Sequence, residues 1–366
     1  VAYFGSLFTM LETKLDEMSR GLVDTESSLT LLTSFCYLLQ FVMQNTPSSL
    51  LRLKVQNFSK CFSIIFEHFL NEQPLIRAVI GCIEPLLGAQ YIGAWQSDVS
   101  VKTLFMSILK LSVDGRAKMR KRAEQAISTL LSNPPPPSVC HPATPISIDF
   151  YIRGITEFKK LTSTLSSGKE RKELEQDILH ILVSLKELMP VLAMQGTHEK
   201  ISDRLQKLVE LLLSIPQQST NAGNLILTQW IFNVLEGLFS ATSFKAEEGC
   251  FPDLSLTLID TIIKTLLDIK PYRNDIKSTT SWLQLINTGI VRVSLLVNQT
   301  VVNNANTETA SIVIPSEIDY TCNKYPQLLS KVFISTFEDI IQRYDMNSQL
   351  SSVCSSVFSS MIWSIS

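Results

Sequence analysis

The chain has 366 residues, of which 45% are hydrophobic and only 13 are glycine, and its formal net charge is −2. Nucleotide-binding α/β enzymes and all-β folds use glycine for turns with positive φ, so the low glycine count argues against both classes. The chain starts at Val1 without an initiator Met and its last residues read as helix, so we expect a piece of a longer polypeptide.

Apolar residues recur at the helical spacing i, i+3, i+4 and i+7 along most of the chain, and no long stretch alternates with the period of a strand. The predicted helices cover residues 2–20, 26–44, 48–70, 73–87, 98–112, 115–132, 147–165, 170–188, 197–214, 220–240, 251–269, 275–298, 325–344 and 347–364. The breaks contain helix stop signals, which are Thr46-Pro47, Gly88, Pro190 with Gly196, Ile215-Pro216 and Lys270-Pro271. Such a succession predicts an all-α, HEAT/armadillo-like α-solenoid of stacked antiparallel helical hairpins.

Two segments interrupt the succession of helices. The run from Asn133 to Pro142 contains four consecutive prolines, which cannot continue a helix, so we predict a stiff polyproline II strap. The run from Asn298 to Ser316 is rich in Asn, Thr and Val without an apolar stripe, which indicates a long loop. We therefore predict helical repeats over 1–133, a strap or linker over 134–146, and further repeats over 147–366 with the loop near 298–316.

Two helix starts share one layout, which indicates a repeated unit. Asn71 and Asp114 each precede a helix, and Arg77 and Arg120 follow them six positions later, 43 residues apart (77 to 120). HEAT and armadillo units repeat every ~40–47 residues. An Asp or Asn at such a turn caps its own helix and can also pair with the arginine of a neighbouring repeat. We expect these four residues to form a ladder between repeats.

Positive charge is concentrated in the middle of the chain, where residues 114–172 carry 11 basic and 5 acidic side chains. Five cations fall within seven residues of one predicted helix: Arg116, Lys118, Arg120, Lys121 and Arg122. Helical geometry places Arg120 on the apolar side of that helix and turns Lys118, Lys121 and Arg122 away from it. The last three are predicted to face solvent, where they could meet phosphate; a merely solubilising surface is the alternative.

A second basic run follows the strap and consists of Lys159, Lys160, Lys169, Arg171 and Lys172. Few aromatic residues interleave with either run, so RNA contact would use the backbone and the shape of the RNA rather than base stacking. The candidate contacts for RNA or an acidic partner are therefore the members of this second run together with Arg116, Lys118, Lys121 and Arg122.

The sequence contains no catalytic or metal-binding motif. Cys36, Cys61 and Cys82 lie inside apolar helical runs without a C-x-x-C motif, which is typical of buried thiols in a reducing compartment. Cys140-His141 alone forms neither a chelate nor a catalytic dyad. The longest apolar run, Leu29 to Met43, is shorter than the ~20 residues that span a bilayer. We expect no enzyme, no cofactor or metal, no small-molecule substrate and no membrane segment.

The segment DGRAKMRKRAEQAISTLLSNPPPPSVCHP, from Asp114 to Pro142, resembles the ribosomal RNA-processing protein 12 family. That family has an Asp before a basic helix start, a Leu-Leu pair, and a polyproline run that ends in His-Pro. The upstream segment LLGAQYIGAW, Leu86 to Trp95, is similar to the family's segment before that helix. Met119 stands where the family usually has Val, and Gly115 weakens the helix start. The remainder of the chain is compatible through its helical pattern only.

The resemblance implies an amino-terminal-side fragment of a large HEAT-repeat factor of the nucleus and nucleolus, with possible shuttling to the cytoplasm. Family members associate with pre-ribosomal RNA and assembly factors in pre-ribosomal particles, support subunit maturation and nuclear export, and are linked to the Ran GTPase and transport receptors. A non-catalytic scaffold in ribosome biogenesis is therefore the expected function. The alternative is a karyopherin-type nuclear transport receptor that binds Ran and cargo, since that class is also a HEAT solenoid.

Overall fold

The structure, a computed structural model, describes residues 2–20, 25–164, 169–195, 199–217, 225–240, 256–271, 275–306 and 348–365. These residues form helices without any strand, and the predicted all-α class is confirmed. The helices are α1 Ala2–Ser19, α2 Thr25–Gln44, α3 Ser48–His68, α4 Gln73–Gly88, α5 Ile92–Ser97, α6 Val99–Ser112, α7 Ala117–Ser132, α8 Thr144–Thr164, α9 Lys169–Met194, α10 Glu199–Gln217, α11 Leu225–Ser240, α12 Leu256–Asp268, α13 Ile276–Asn306 and α14 Ser348–Ile365. Of these described helices, none has the length and apolarity that crossing a membrane requires.

The chain divides into two compact units, Val1–Phe150 and Tyr151–Ser366, and the division falls inside α8. In the first unit, α1 with α2, α3 with α4, and α6 with α7 form three successive hairpins. The second helices of these hairpins, α2, α4 and α7, pack side by side in one layer, and α1, α3 and α6 form the other layer. This two-layer stacking of hairpins is the arrangement of a helical solenoid.

The core of the first unit follows from the apolar spacing of its helices. On α3 the buried side chains include Leu51, Val55, Phe58, Phe62 and Ile65, which lie on one face at intervals of three and four residues. Helix α4 is buried on most of its circumference because it contacts helices of both layers. Its apolar side chains therefore form the centre of this unit, and only a narrow strip of α4 reaches the surface.

In the second unit, α9, α11, α13 and α14 pack in that succession, while α10 and α12 contact each other and their sequence neighbours α11 and α13. Three buried polar side chains of this core are hydrogen-bonded. Trp282 donates from Nε1 to the carbonyl of Leu266 at 2.9 Å, and the hydroxyls of Tyr151 and Ser184 lie 2.8 Å apart. Such pairing is required because an unpaired polar group in a core costs free energy.

Two prolines predicted to stop helices are instead accommodated within them. Helix α9 continues through Pro190 to Met194, and α10 continues through Pro216 to Gln217. Pro190 cannot donate to the carbonyl of Lys186, and α9 continues past it while packing closely against α11 at Gly237. Pro216 is the second-last residue of α10. Its missing N–H therefore removes a hydrogen bond only from the last turn of the helix.

The remaining differences concern a short helix and a long one. Helix α5 was not predicted, because six residues are too few to show a helical period. Helix α13 extends to Asn306, although the sequence predicted a loop from Asn298. Asn, Thr and Val cost only tenths of a kcal/mol each in a helix, and each added residue gains a backbone hydrogen bond. The rest of that predicted loop and the predicted helix over 325–344 lie outside the described residues.

Candidate partner-binding surface

The turn that leads into α7 is organised around the carboxylate of Asp114. Its Oδ1 accepts hydrogen bonds from the backbone N–H and from Nε of Arg116, both at 2.8 Å, and its Oδ2 accepts one from Nη2 at 2.7 Å. The Arg116 guanidinium lowers the pKa of this carboxyl, mainly through the side-chain hydrogen bond. Asp114 is therefore held as a carboxylate, and it fixes the direction in which Arg116 extends.

Arg116 also joins two successive hairpins. Its Nη1 donates to the carbonyl of Leu70 at 2.8 Å, and Leu70 lies in the turn between α3 and α4. A contact between repeats thus exists next to the predicted position, Asn71. It is made by an arginine that the sequence assigned to RNA or acidic-partner contact.

Asn71, Arg77, Asp114 and Arg120 were predicted to form a ladder between repeats, and the structure gives them different contacts. Arg120 donates from Nη1 to the carbonyl of Asp114 at 2.8 Å and lies 3.9 Å from Glu124, so these contacts remain within its own hairpin. Asn71 and Arg77 are exposed, and Arg77 lines a hollow beside α2. The reason is local: Arg116 stands only two residues after Asp114 and reaches its carboxylate from within the same turn.

The basic run on α7 separates into exposed and paired cations. Lys118 and Lys121 are exposed, and neither has an ion pair within the described ranges of the chain. Arg122 was predicted to be free, but its Nη2 lies 2.8 Å from Oε2 of Glu84 on α4. These two side chains are 23% and 22% exposed, because α4 packs directly beside α7.

Two of the five cations in the second basic run form ion pairs with acidic neighbours. Lys159 donates to the hydroxyl of Ser214 at 2.8 Å. Lys169 and Arg171 form ion pairs one helical turn ahead on α9, with Glu173 at 3.6 Å and Glu175 at 3.3 Å. The other two members of the run, Lys160 and Lys172, are exposed. Between residues 169 and 178 the chain has three cations and four carboxylates, so this surface has no positive excess.

The strap after α7 packs into the first unit instead of running as polyproline II. Ser138 donates its N–H to the carbonyl of Pro135 at 3.0 Å, which closes a turn inside the proline run. His141 is buried, its Nδ1 accepts the N–H of Ala143 at 3.1 Å, and its ring meets Trp95 edge-on at 4.7 Å between centroids. Burial lowers the pKa of His141 to about 4, so its imidazole is neutral at pH 7.

The cysteines that the structure describes are reduced. Cys36, Cys61 and Cys82 are buried, and burial raises the pKa of Cys36 and of Cys61 to about 12. Thiols that remain protonated are poor nucleophiles and poor metal ligands. Within the described ranges, no group of three or more His, Cys, Asp and Glu side chains is placed to hold a metal ion.

One feature of the surface was missed by the sequence. A hollow of about 550 Å³ opens on the outer side of α2 and α4 and is bordered by Arg122 of α7. Its wall includes Tyr37 and Leu38, which are 55% and 51% exposed. Helix α2 is apolar on both its inner and its outer face, so periodicity alone could not separate its core residues from these exposed ones.

Comparisons with known proteins agree with this arrangement. Residues 1–243 match the family described as RRP12-like, N-terminal HEAT repeats. The chain is 28% identical over 298 residues to Ribosomal RNA-processing protein 12 of Saccharomyces cerevisiae, with 79% of this chain and 23% of that protein covered. It is 26% identical to the RRP12-like protein of Gallus gallus and 25% identical to that of Homo sapiens, with 80% and 78% of the chain covered.

The chain spans 23% of the yeast relative's length and 20% and 19% of the chicken and human relatives'. The matched part contains the whole first unit, including the α7 turn and the strap on which the sequence resemblance depends. The predicted HEAT-like solenoid and the suspected family are both confirmed. The chain belongs to the RRP12-like family, whose N-terminal HEAT repeats it contains.

Proposed function

We propose that this chain is a non-catalytic HEAT-repeat scaffold in ribosome biogenesis, which contacts pre-ribosomal RNA and assembly proteins. The observation that carries the proposal is the exposed pair Lys118 and Lys121 on α7, beside a turn that fixes the start of that helix. The relatives named as ribosomal RNA-processing proteins support the same role.

The proposed RNA contact is electrostatic. Lysine ammonium groups bind phosphate as point charges, and each neutralised phosphate releases counterions, so affinity falls as salt rises. Lys118 and Lys121 point into solvent without a carboxylate to compete for them among the described residues. No aromatic residue occurs in α7, so the contact would recognise the RNA backbone and shape.

We further propose that the full-length protein resides in the nucleolus and nucleus, shuttles to the cytoplasm, and supports maturation and nuclear export of pre-ribosomal subunits. Contacts with the Ran GTPase and transport receptors belong to this proposal. A scaffold of stacked hairpins suits the role, because such folds present extended surfaces to several partners at once.

The test is charge reversal in the full-length protein. Lys118→Glu with Lys121→Glu should release the protein from pre-ribosomal particles at lower salt, measured by sedimentation of cell extracts through sucrose gradients over a range of salt concentrations. Lys160→Glu with Lys172→Glu is the matched control, since it reverses the same number of exposed lysines. Equal co-sedimentation of both variants and the unmodified protein at every salt concentration would count against the contact.

A further inference from the structure

The hollow lies between the outer face of α2 and the exposed strip of α4. The residues of α4 that border it are Pro74, Arg77 and Ala78. One turn further, Gly81 lies so close to Gln40 of α2 that a Cβ at this position would overlap the Gln40 side-chain amide. The two helices therefore approach closely at that point. The depression is part of the packing and needs no rearrangement to form.

Part of the wall of the hollow is apolar. Tyr37 and Phe41 stand one turn apart on α2 with their rings edge-to-face, 5.1 Å between centroids. Leu38 lines the hollow beside Tyr37 and is half exposed. Large apolar side chains grouped on one outer helix face lose contact with water when a partner covers them, and such patches mark interaction sites.

The polar groups around the hollow are cationic or hydrogen-bonding. Arg77 and Arg122 are its charged lining residues, and its lining contains no carboxylate. Arg77 is exposed and has no ion pair in the part of the chain that the structure describes. Arg122 binds Glu84 through Nη2, and a guanidinium has five N–H donors, so others remain available. The hollow therefore favours an occupant with negative charge beside an apolar group.

The hydroxyls of the hollow can accept hydrogen bonds from a peptide. Thr33 and Ser34 donate to the carbonyls of Leu29 and Thr30 on their own helix, at 2.8 and 2.9 Å. Their oxygens can therefore accept hydrogen bonds, which the N–H groups of a peptide supply. The aliphatic side chains at the site also match an apolar side chain better than a sugar-phosphate backbone.

We propose that this hollow binds an acidic segment of a protein partner. An aromatic or aliphatic side chain of the segment fills the space against Tyr37 and Leu38, and neighbouring Asp or Glu residues bind the guanidinium of Arg77. Arginine and carboxylate form paired hydrogen bonds of fixed geometry, so Arg77 sets the position of the acidic residue relative to the anchor. The inference stands on the hollow alone and does not depend on the role in ribosome biogenesis.

The experiment is a selection of random peptides, displayed on phage, against the 366-residue chain. The enriched peptides should combine Asp or Glu with Phe, Leu or Trp. Synthetic, fluorescently labelled versions should lose at least tenfold in affinity for the variant Leu38→Asp with Arg77→Glu, measured by anisotropy. The matched control is Leu53→Asp with Lys60→Glu, which makes the same changes at exposed positions of α3 and should bind like the unmodified chain.

A second variant distinguishes recognition of charge from loss of folding. Arg77→Glu alone changes an exposed side chain, so the thermal unfolding of the chain should be unaltered. Its selection should enrich basic peptides in place of acidic ones. The proposal is overturned if no peptide family is enriched, if the enriched peptides lack acidic residues, or if they bind the double variant as well as the unmodified chain. It is also overturned if poly(U) RNA displaces them from the unmodified chain and binds tenfold more weakly to Arg77→Glu, because the hollow is then an RNA site.

Discussion

The basic run on α7 and the basic run on α8 and α9 look similar in the sequence, yet their surroundings differ. On α7, Arg116 and Arg122 are engaged with acidic partners in the turn and on α4, which leaves Lys118 and Lys121 facing solvent. On α9, the cations alternate with carboxylates of the same helix and pair one turn ahead. Both runs leave two lysines exposed, but the arginines of the first run connect separate helices and turns, whereas the ion pairs of the second run lie within α9.

This difference shows that the contribution of a cation to stability depends on its partner more than on the number of cations nearby. An exposed i,i+4 pair on one helix contributes only a few tenths of a kcal/mol, because water already solvates both charges. The contacts of Arg116 instead connect the turns of two hairpins and satisfy a backbone carbonyl. Substitutions that remove the contacts of Arg116 should therefore affect stability, and those that remove the ion pair of Lys169 with Glu173 should not.

The largest expected effect comes from the strap that follows α7. The pKa of His141 is lowered to about 4 in the folded protein, and an unfolded histidine has a pKa of about 6.5. Between these values the unfolded chain binds more protons, so the stabilisation is complete above pH 6.5 and is lost as the pH falls to 4. The loss amounts to about 3 kcal/mol. Urea unfolding of the 366-residue chain at several pH values measures it.

In the variant His141→Gln this component of the pH dependence should disappear, because Gln can accept the N–H of Ala143 but does not titrate in this range. His68→Gln is the control, since His68 is exposed on α3 in the same unit. An unchanged slope between pH 4 and 6.5 in His141→Gln would show that His141 is not held neutral by burial.

The second effect tests the turn before α7. Asp114→Ala removes the acceptor for three hydrogen bonds of Arg116 and should lower the free energy of unfolding by about 2 kcal/mol. Glu173→Ala, in the second run, removes an exposed partner of Lys169 and should change it by less than ~0.5 kcal/mol. Urea unfolding at pH 7 compares the two. Equal losses of unfolding free energy in the two variants would show that the two basic runs do not differ in their contribution to stability.

The smallest expected effect compares the contributions of the two basic runs to the salt dependence of RNA binding. Glu84→Gln releases Arg122 from its ion pair and should add about one phosphate contact to the α7 surface, so the negative slope of log affinity against log salt becomes steeper by about one. Glu173→Gln releases Lys169 among other carboxylates and should leave that slope unchanged. Fluorescence anisotropy with a labelled RNA hairpin measures both. A slope that responds to Glu173→Gln alone would locate the contact on α9.

Much of the fold could be predicted from the sequence, because apolar spacing determines which face of each helix is buried, as on α3. Pro190 was misjudged, since α9 packs along α11, and tertiary packing of this kind overrides the local preference of a proline to end a helix. Arg122 was misjudged for the same kind of reason, because its partner Glu84 becomes a neighbour only when α4 packs beside α7. Tyr37 and Leu38 were missed because the residue type alone does not show whether an apolar side chain lies on the outer face of a helix or in the core.

The salt dependence of RNA binding tests the central claim most directly. The 366-residue chain is titrated against a double-stranded RNA hairpin at several salt concentrations, followed by fluorescence anisotropy. The account predicts that Lys118→Glu with Lys121→Glu makes the negative slope of log affinity against log salt shallower by about two, and that Lys160→Glu with Lys172→Glu leaves it unchanged. A loss of slope confined to the second variant, or an equal loss in both, would contradict it.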